Sequence, residues 1–149
     1  MVTQKHHFGI SRIAALLGLL ACVGVPMVSA AYATQPLRTL RAREAAEREL
    51  DQEAGFTGKV CGTSISTRID WATAADWPEN ANIAKACDGA LGALEAICRS
   101  DRSRGSRITS FVCSGDGSGP DLSGSTLYYG ATPGQSGFDE TKSFLEGEL

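Results

Sequence analysis

The placement of four cysteines constrains this chain more than any other feature. Cys87 and Cys98 lie eleven residues apart on one stretch of helical pattern, and Cys61 and Cys113 sit in the strand-like stretches on either side of it. Eleven residues make close to three helical turns, so both helix cysteines point the same way, about 16 Å apart along the axis. A disulfide needs Cα atoms within roughly 7 Å, so these two do not pair with each other. Each must reach a neighbouring segment. The pattern predicts a helix fastened twice onto a sheet, in a protein built for an oxidising compartment.

The fifth cysteine, Cys22, belongs to a different region. Lys5, His6, His7 and Arg12 precede an uncharged run from Ile13 to Ala33 that ends in Val28-Ser29-Ala30 and Ala31-Tyr32-Ala33. A basic start, a short apolar centre and an A-x-A site predict a secretory signal peptide over 1–33. Two other readings share those residues. The run is about as long as a membrane anchor, and Leu19-Leu20-Ala21-Cys22 resembles a bacterial lipobox with Cys22 lipidated. Cleavage after Ala33 takes both histidines of the chain with it. Residues 34–149 then hold no histidine, which excludes a Ser-His-Asp triad, a Cys-His dyad and a His-ligated zinc site. Lys5 and Arg12 are lost as well, so the acidic excess grows beyond the formal −3 of the whole chain. That balance argues against nucleic acid as a partner, and no membrane contact is expected once the leader is gone.

Residues 34–57 form a second segment, rich in Ala, Glu and Arg, which are strong helix formers. Leu37, Leu40 and Leu50 make a thin apolar stripe, so a solvated helix or a flexible pro-segment ending at Gly55 and Gly58 is expected. The cysteine-bearing domain then covers 58–149. From Cys61 to Trp71 the odd positions are Cys, Thr, Ile, Thr, Ile and Trp, a period-two pattern that predicts a first strand including Cys61. Ile83, Cys87, Ala90, Leu91, Leu94, Ile97 and Cys98 recur at helical spacing, with Asn80 or Asn82 as cap. Gly89 and Gly92 on this helix leave room for close approach of the sheet. Arg107–Cys113 predicts a second strand and Ser125–Tyr129 a third, separated by a Gly/Ser/Asp loop compatible with antiparallel neighbours. Phe138–Leu149 predicts a short final helix. The fold class expected is α+β: a small disulfide-stapled sandwich of order β-α-β-β-α, with a split β-α-β core and the helix on one face of the sheet.

Register selects the disulfide pairing. If strand one runs away from Cys61 and the helix returns antiparallel to it, Cys98 comes level with Cys61. Strand two then runs back from Arg107, and six residues carry Cys113 about 20 Å along, level with Cys87. The pairs Cys61–Cys98 and Cys87–Cys113 are predicted, with strands one and two parallel across the helix. Each bridge stabilises a domain of this size by about 2–4 kcal/mol.

Few residues suggest chemistry. In the loop Ser114–Asp121, Asp116, Ser118 and Asp121 offer oxygens as a calcium loop does, without the bidentate glutamate of an EF-hand. Gly-Asp-Gly-Ser is also ordinary turn chemistry, so no metal and no cofactor is expected. The loop opens no helix, which denies it a nucleotide-binding role. A hydrolase using two of Asp70, Asp76, Glu79 and Asp116 needs no histidine, but no spacing fixes such a pair, and paired cysteines leave no thiol nucleophile. Trp71, Trp77, Tyr128 and Tyr129 are the candidates for aromatic recognition. Tyr128 and Tyr129 must point to opposite faces of their strand, so one of them is exposed. Candidate binding residues are therefore Tyr128, Tyr129, Asp116 and Asp121, with no catalytic residue assigned.

Lys59-Val60-Cys61-Gly62-Thr63 with Ile65-Ser66, then Leu91, Leu94, Cys98 and Arg99, then Cys113-Ser114-Gly115 and Gly124-Ser125-Thr126-Leu127-Tyr128-Tyr129 follow a recognisable order. It resembles the killer-toxin family encoded by smut-fungus viruses. Over residues 59–130 the resemblance implies a split β-α-β sandwich stitched by disulfides and a secreted, effector-like or toxin-like role. Those toxins carry many more cysteines, and no functional residue carries over. The expectation is a secreted, non-enzymatic protein that binds a protein or cell-surface partner. A bacterial periplasmic or envelope-anchored accessory or inhibitor-type binding protein is the alternative that Cys22 favours, and a small carboxylate hydrolase is the third.

Overall fold

The structure, a computed structural model, describes residues 31–149; the leader and Cys22 readings fall mostly or wholly outside them. Helix α1 spans Ala31–Cys61. Its buried side chains include Ala46, Leu50, Ala54, Thr57 and Cys61, spaced so that they fall on one stripe of a helix. The segment expected to be solvated is therefore a core helix from Ala46 onward, and the boundary expected at 58 lies inside it. Most of the stripe is alanine, threonine and cysteine, which is why large-residue counting missed it.

Cys61 does not belong to a strand. It ends α1, and Gly62 follows with φ 74°, while the Thr63 amide donates to the Gly58 carbonyl at 2.9 Å. This is a glycine-terminated helix end in which the left-handed Gly62 turns the chain so that the next amide satisfies an orphan carbonyl. The alternating pattern belongs to a shorter strand, β1, Ser66–Asp70.

Helix α2, Ile83–Ser100, buries every residue on the face read from the sequence, from Ile83 to Cys98. Asn82 caps it by accepting from the Lys85 amide at 3.3 Å. A short helix α3, Arg102–Gly105, interrupts what reads as a loop. Strands β2 (Ser110–Ser114), β3 (Gly119–Ser123) and β4 (Thr126–Gly130) follow, then α4, Phe138–Glu148. The sheet order is β1-β2-β4-β3. β1 pairs with β2 in parallel, as predicted. β4 also runs parallel to β2, not antiparallel, because the unforeseen strand β3 intervenes and pairs antiparallel with β4 on the edge. Pro120 is tolerated there because an edge strand can spare an amide donor.

Both disulfides have the expected partners. Cys61–Cys98 has Cα atoms 5.0 Å apart and Cys87–Cys113 6.0 Å, within bonding geometry. Phe111, Cys113, Leu127 and Tyr129 turn inward towards the helices and are buried. Alternate residues point the other way, and register sets Arg68, Val112, Tyr128 and Asp121 in one row across the opposite face. The helices thus occupy one side of the sheet. Gly89 does give close approach, but to the Ser136 carbonyl at the entry to α4, and Gly92 faces the Phe138 ring; α4, not the sheet, uses that space.

Candidate binding groove

The residues named from sequence fall in three places. Tyr129 is 2 % exposed, and its hydroxyl occupies the space a Cβ on Gly137 would need. Burial, with the Glu140 carboxylate nearby, raises its pKa, so it belongs to the core. Tyr128 is 37 % exposed and lies directly opposite Asp121 in the β3–β4 register. Those two share the open sheet face with Val112, with Arg68 beyond it, and with the small residues Ser110, Ser123 and Thr126.

Asp116 is apart from both. It accepts from the Ser118 amide at 3.1 Å, the Ser118 hydroxyl at 2.8 Å and the Ser114 hydroxyl at 3.2 Å. Those bonds favour the charged form and lower its pKa, the Ser118 amide most of all. The carboxylate is spent on closing its own turn. Among the described residues no group of three or more His, Cys, Asp or Glu side chains is placed to hold a metal ion. No described helix is long and apolar enough to cross a membrane.

A third location is concave. The polypeptide leaves β1 through a series of tight turns, Thr73 to Asp70, Ala74 to Trp71 and Trp77 to Ala74, which raise the segment 71–82 beside the exposed half of α1. Between them lies a groove of about 440 Å³, with Ala42, Arg43 and Ala46 on one wall and Trp71, Trp77 and Pro78 on the other. A second hollow of about 380 Å³ continues beyond it, and Trp77, Ala81 and Asn82 line both.

Side-chain bonds hold these walls in place. The Trp71 indole N–H donates to the Glu47 carboxylate at 2.8 Å, and the Arg43 guanidinium lies 5.1 Å above the Trp71 ring, a cation–π distance. Asn82 donates to Glu49 at 2.7 Å, tying the α2 cap to α1. The Trp77 indole N–H donates to the Gly115 carbonyl at 2.8 Å. Both tryptophans therefore have their polar edges satisfied internally. What they present to the groove is apolar ring surface, and the alanines opposite leave room for an incoming side chain.

Of the four carboxylates considered for hydrolysis, only Glu79 lines this groove; Glu49, its companion there, is already bonded to Asn82. The four aromatic candidates are not one surface, since Trp71 and Trp77 line the groove, Tyr128 the open face and Tyr129 the core. Sequence reasoning missed Ala42, Arg43, Ala46 and Glu49 because it treated α1 as solvated. The alanines at 42 and 46, continued by Leu50 and Ala54 at the same four-residue spacing, are the signal that marks this face of α1.

Comparison with protein-family models, with curated proteins and with solved structures gives no match to this chain.

Proposed function

We propose that this chain is a secreted, non-enzymatic protein, effector-like or toxin-like in kind, that acts by binding a protein partner through the groove between α1 and the 71–82 segment. One observation carries the reading. Two tryptophans are held rigid at the surface with their N–H groups bonded internally, so they offer apolar area at low entropic cost, the pattern of interface anchors. Secretion is supported by the leader pattern at 1–33 and by two disulfides whose four cysteines are buried, since such bridges persist in oxidising compartments.

Two measurements test this. Expressed with its own N-terminus in a secretory host, the protein should be recovered outside the membrane with both bridges formed; retention in the cytoplasm sinks the secreted reading. Titration of the isotope-labelled protein with a mixture of short peptides should shift amide resonances over 39–49 and 71–83. Shifts confined to the Tyr128 face would move the binding site there and overturn the groove.

A further inference from the structure

The groove does not end in neutral surface. Glu49 and Glu79 lie on its lining, and from Glu49 a line of carboxylates continues along the seam between α1 and α2. Glu53 has its pKa raised by burial first, then by the charges of Asp88, Glu49 and Glu95. Asp88 is raised in the same way, by burial and then by Glu49 and Glu95. Glu49 and Glu95 thus lie close enough to Glu53 and Asp88 to disfavour ionisation of those two.

Of the four, Glu95 has a cationic partner on its own helix. Arg43 is stacked on Trp71, and Arg99 is bonded to Glu95. Lys85, one turn before Asp88, lines the neighbouring hollow. Among the described residues, Glu49, Glu53 and Asp88 form no salt bridge. An apolar groove thus borders an anionic strip formed by Glu49, Glu53 and Asp88.

We infer that the groove receives a cationic amphipathic segment of the partner protein, with an apolar side chain set between Trp71 and Trp77 and lysine or arginine side chains along Glu49, Glu53 and Asp88. The inference rests on the binding reading above and adds the partner's chemistry. Complementary charge of this kind steers encounter and fixes orientation, while the apolar anchor supplies most of the affinity. An anionic segment would meet the strip with repulsion and is excluded by the same geometry.

Trp71 and Trp77 are the only tryptophans of the chain, so their fluorescence reports directly on the groove. The oxidised protein is titrated with three synthetic helical peptides of identical leucine pattern, carrying lysine, glutamine or glutamate at the polar positions. The lysine peptide should shift the indole emission and bind, and the glutamate peptide should not. Replacing both Glu53→Gln and Asp88→Asn should weaken the lysine peptide by roughly tenfold, the scale of two exposed charge pairs. Ala42→Gln, an exposed helix position, should block it without endangering the fold. A glutamine peptide that binds as tightly as the lysine one overturns the cationic assignment and leaves the groove standing. If no peptide moves the emission, the groove itself is wrong. A lysine peptide indifferent to Ala42→Gln and Trp77→Ala binds by charge alone, which overturns both.

Discussion

Asp88 lies where burial and like charge act together. Its folded-state pKa is raised, so the folded chain holds this proton more tightly than the unfolded chain does. Stability then increases as pH falls through the raised value and gains nothing more below the ordinary carboxylate range near 3.8. Asp88→Asn removes the cost of ionisation, so the variant should melt at a higher temperature than the parent at pH 7, with the difference closing towards pH 4. Thermal unfolding followed by circular dichroism at the two pH values checks this, and a lower melting temperature at pH 7 contradicts it. Asp116 and Asp101 work in the opposite sense, because hydrogen bonds, led by those from Ser118 and Ser103, lower their pKa values. Their contribution is present above the ordinary carboxylate value and is lost as pH falls through the lowered one. What sequence can resolve at this scale is local. The Asn82 cap and the opposed directions of Tyr128 and Tyr129 follow from neighbours a few residues away. The meeting of Glu53 with Asp88 does not, since they belong to different helices and their closeness depends on how those helices pack.

The element with the largest difference between expectation and structure is α1. Its helical character was readable from Ala, Glu and Arg content, but its role was not. An alanine stripe buries little area per residue, so it carries a weak hydrophobic signal while allowing α1 to approach α2 closely. Leu50, 1 % exposed, is the large side chain in that contact. Leu50→Ala should destabilise the domain by about 2–5 kcal/mol, the range for a leucine removed from a packed core. Chemical denaturation measures it, and a loss below about 0.5 kcal/mol, typical of an exposed site, would mean that the segment is the solvated helix the sequence suggests. Strand β3 was missed for a related reason. Gly119-Pro120-Asp121-Leu122-Ser123 has one large apolar residue and a proline, and becomes a strand only because β4 offers it a partner. By contrast α2 was legible throughout, because its large apolar residues recur with helical period and its buried face is continuous.

Across the whole molecule the two bridges tie α1 to α2 and α2 to β2, so the three central elements form one covalent unit. They close segments with sequence separations of 37 and 26 residues, for which loop entropy gives about 3–4 kcal/mol each. Replacing either pair by alanines should lower stability by roughly that amount, read from urea unfolding under non-reducing conditions. A negligible loss would show that the helix and sheet packing alone holds the register.

The disulfide partners were determined by sequence even though Cys61 was assigned to the wrong element. The reason is geometric: eleven residues of α2 set two levels about 16 Å apart, and Cys61 joins the same level as a helix end or as a strand start. Periodicity also determined the buried face of α2 and the alternation in β1 and β4, and the levels of the cysteines determined the parallel pairing of β1 with β2. Tertiary structure alone decided that the alanine stripe of α1 is core, that β3 separates β2 from β4 in the chain, and that Trp71 and Trp77 share a groove with residues some thirty positions earlier. Periodicity reports which side of a segment avoids water. Which two sides then meet depends on packing between distant segments, and that is where the groove and its acidic margin arise.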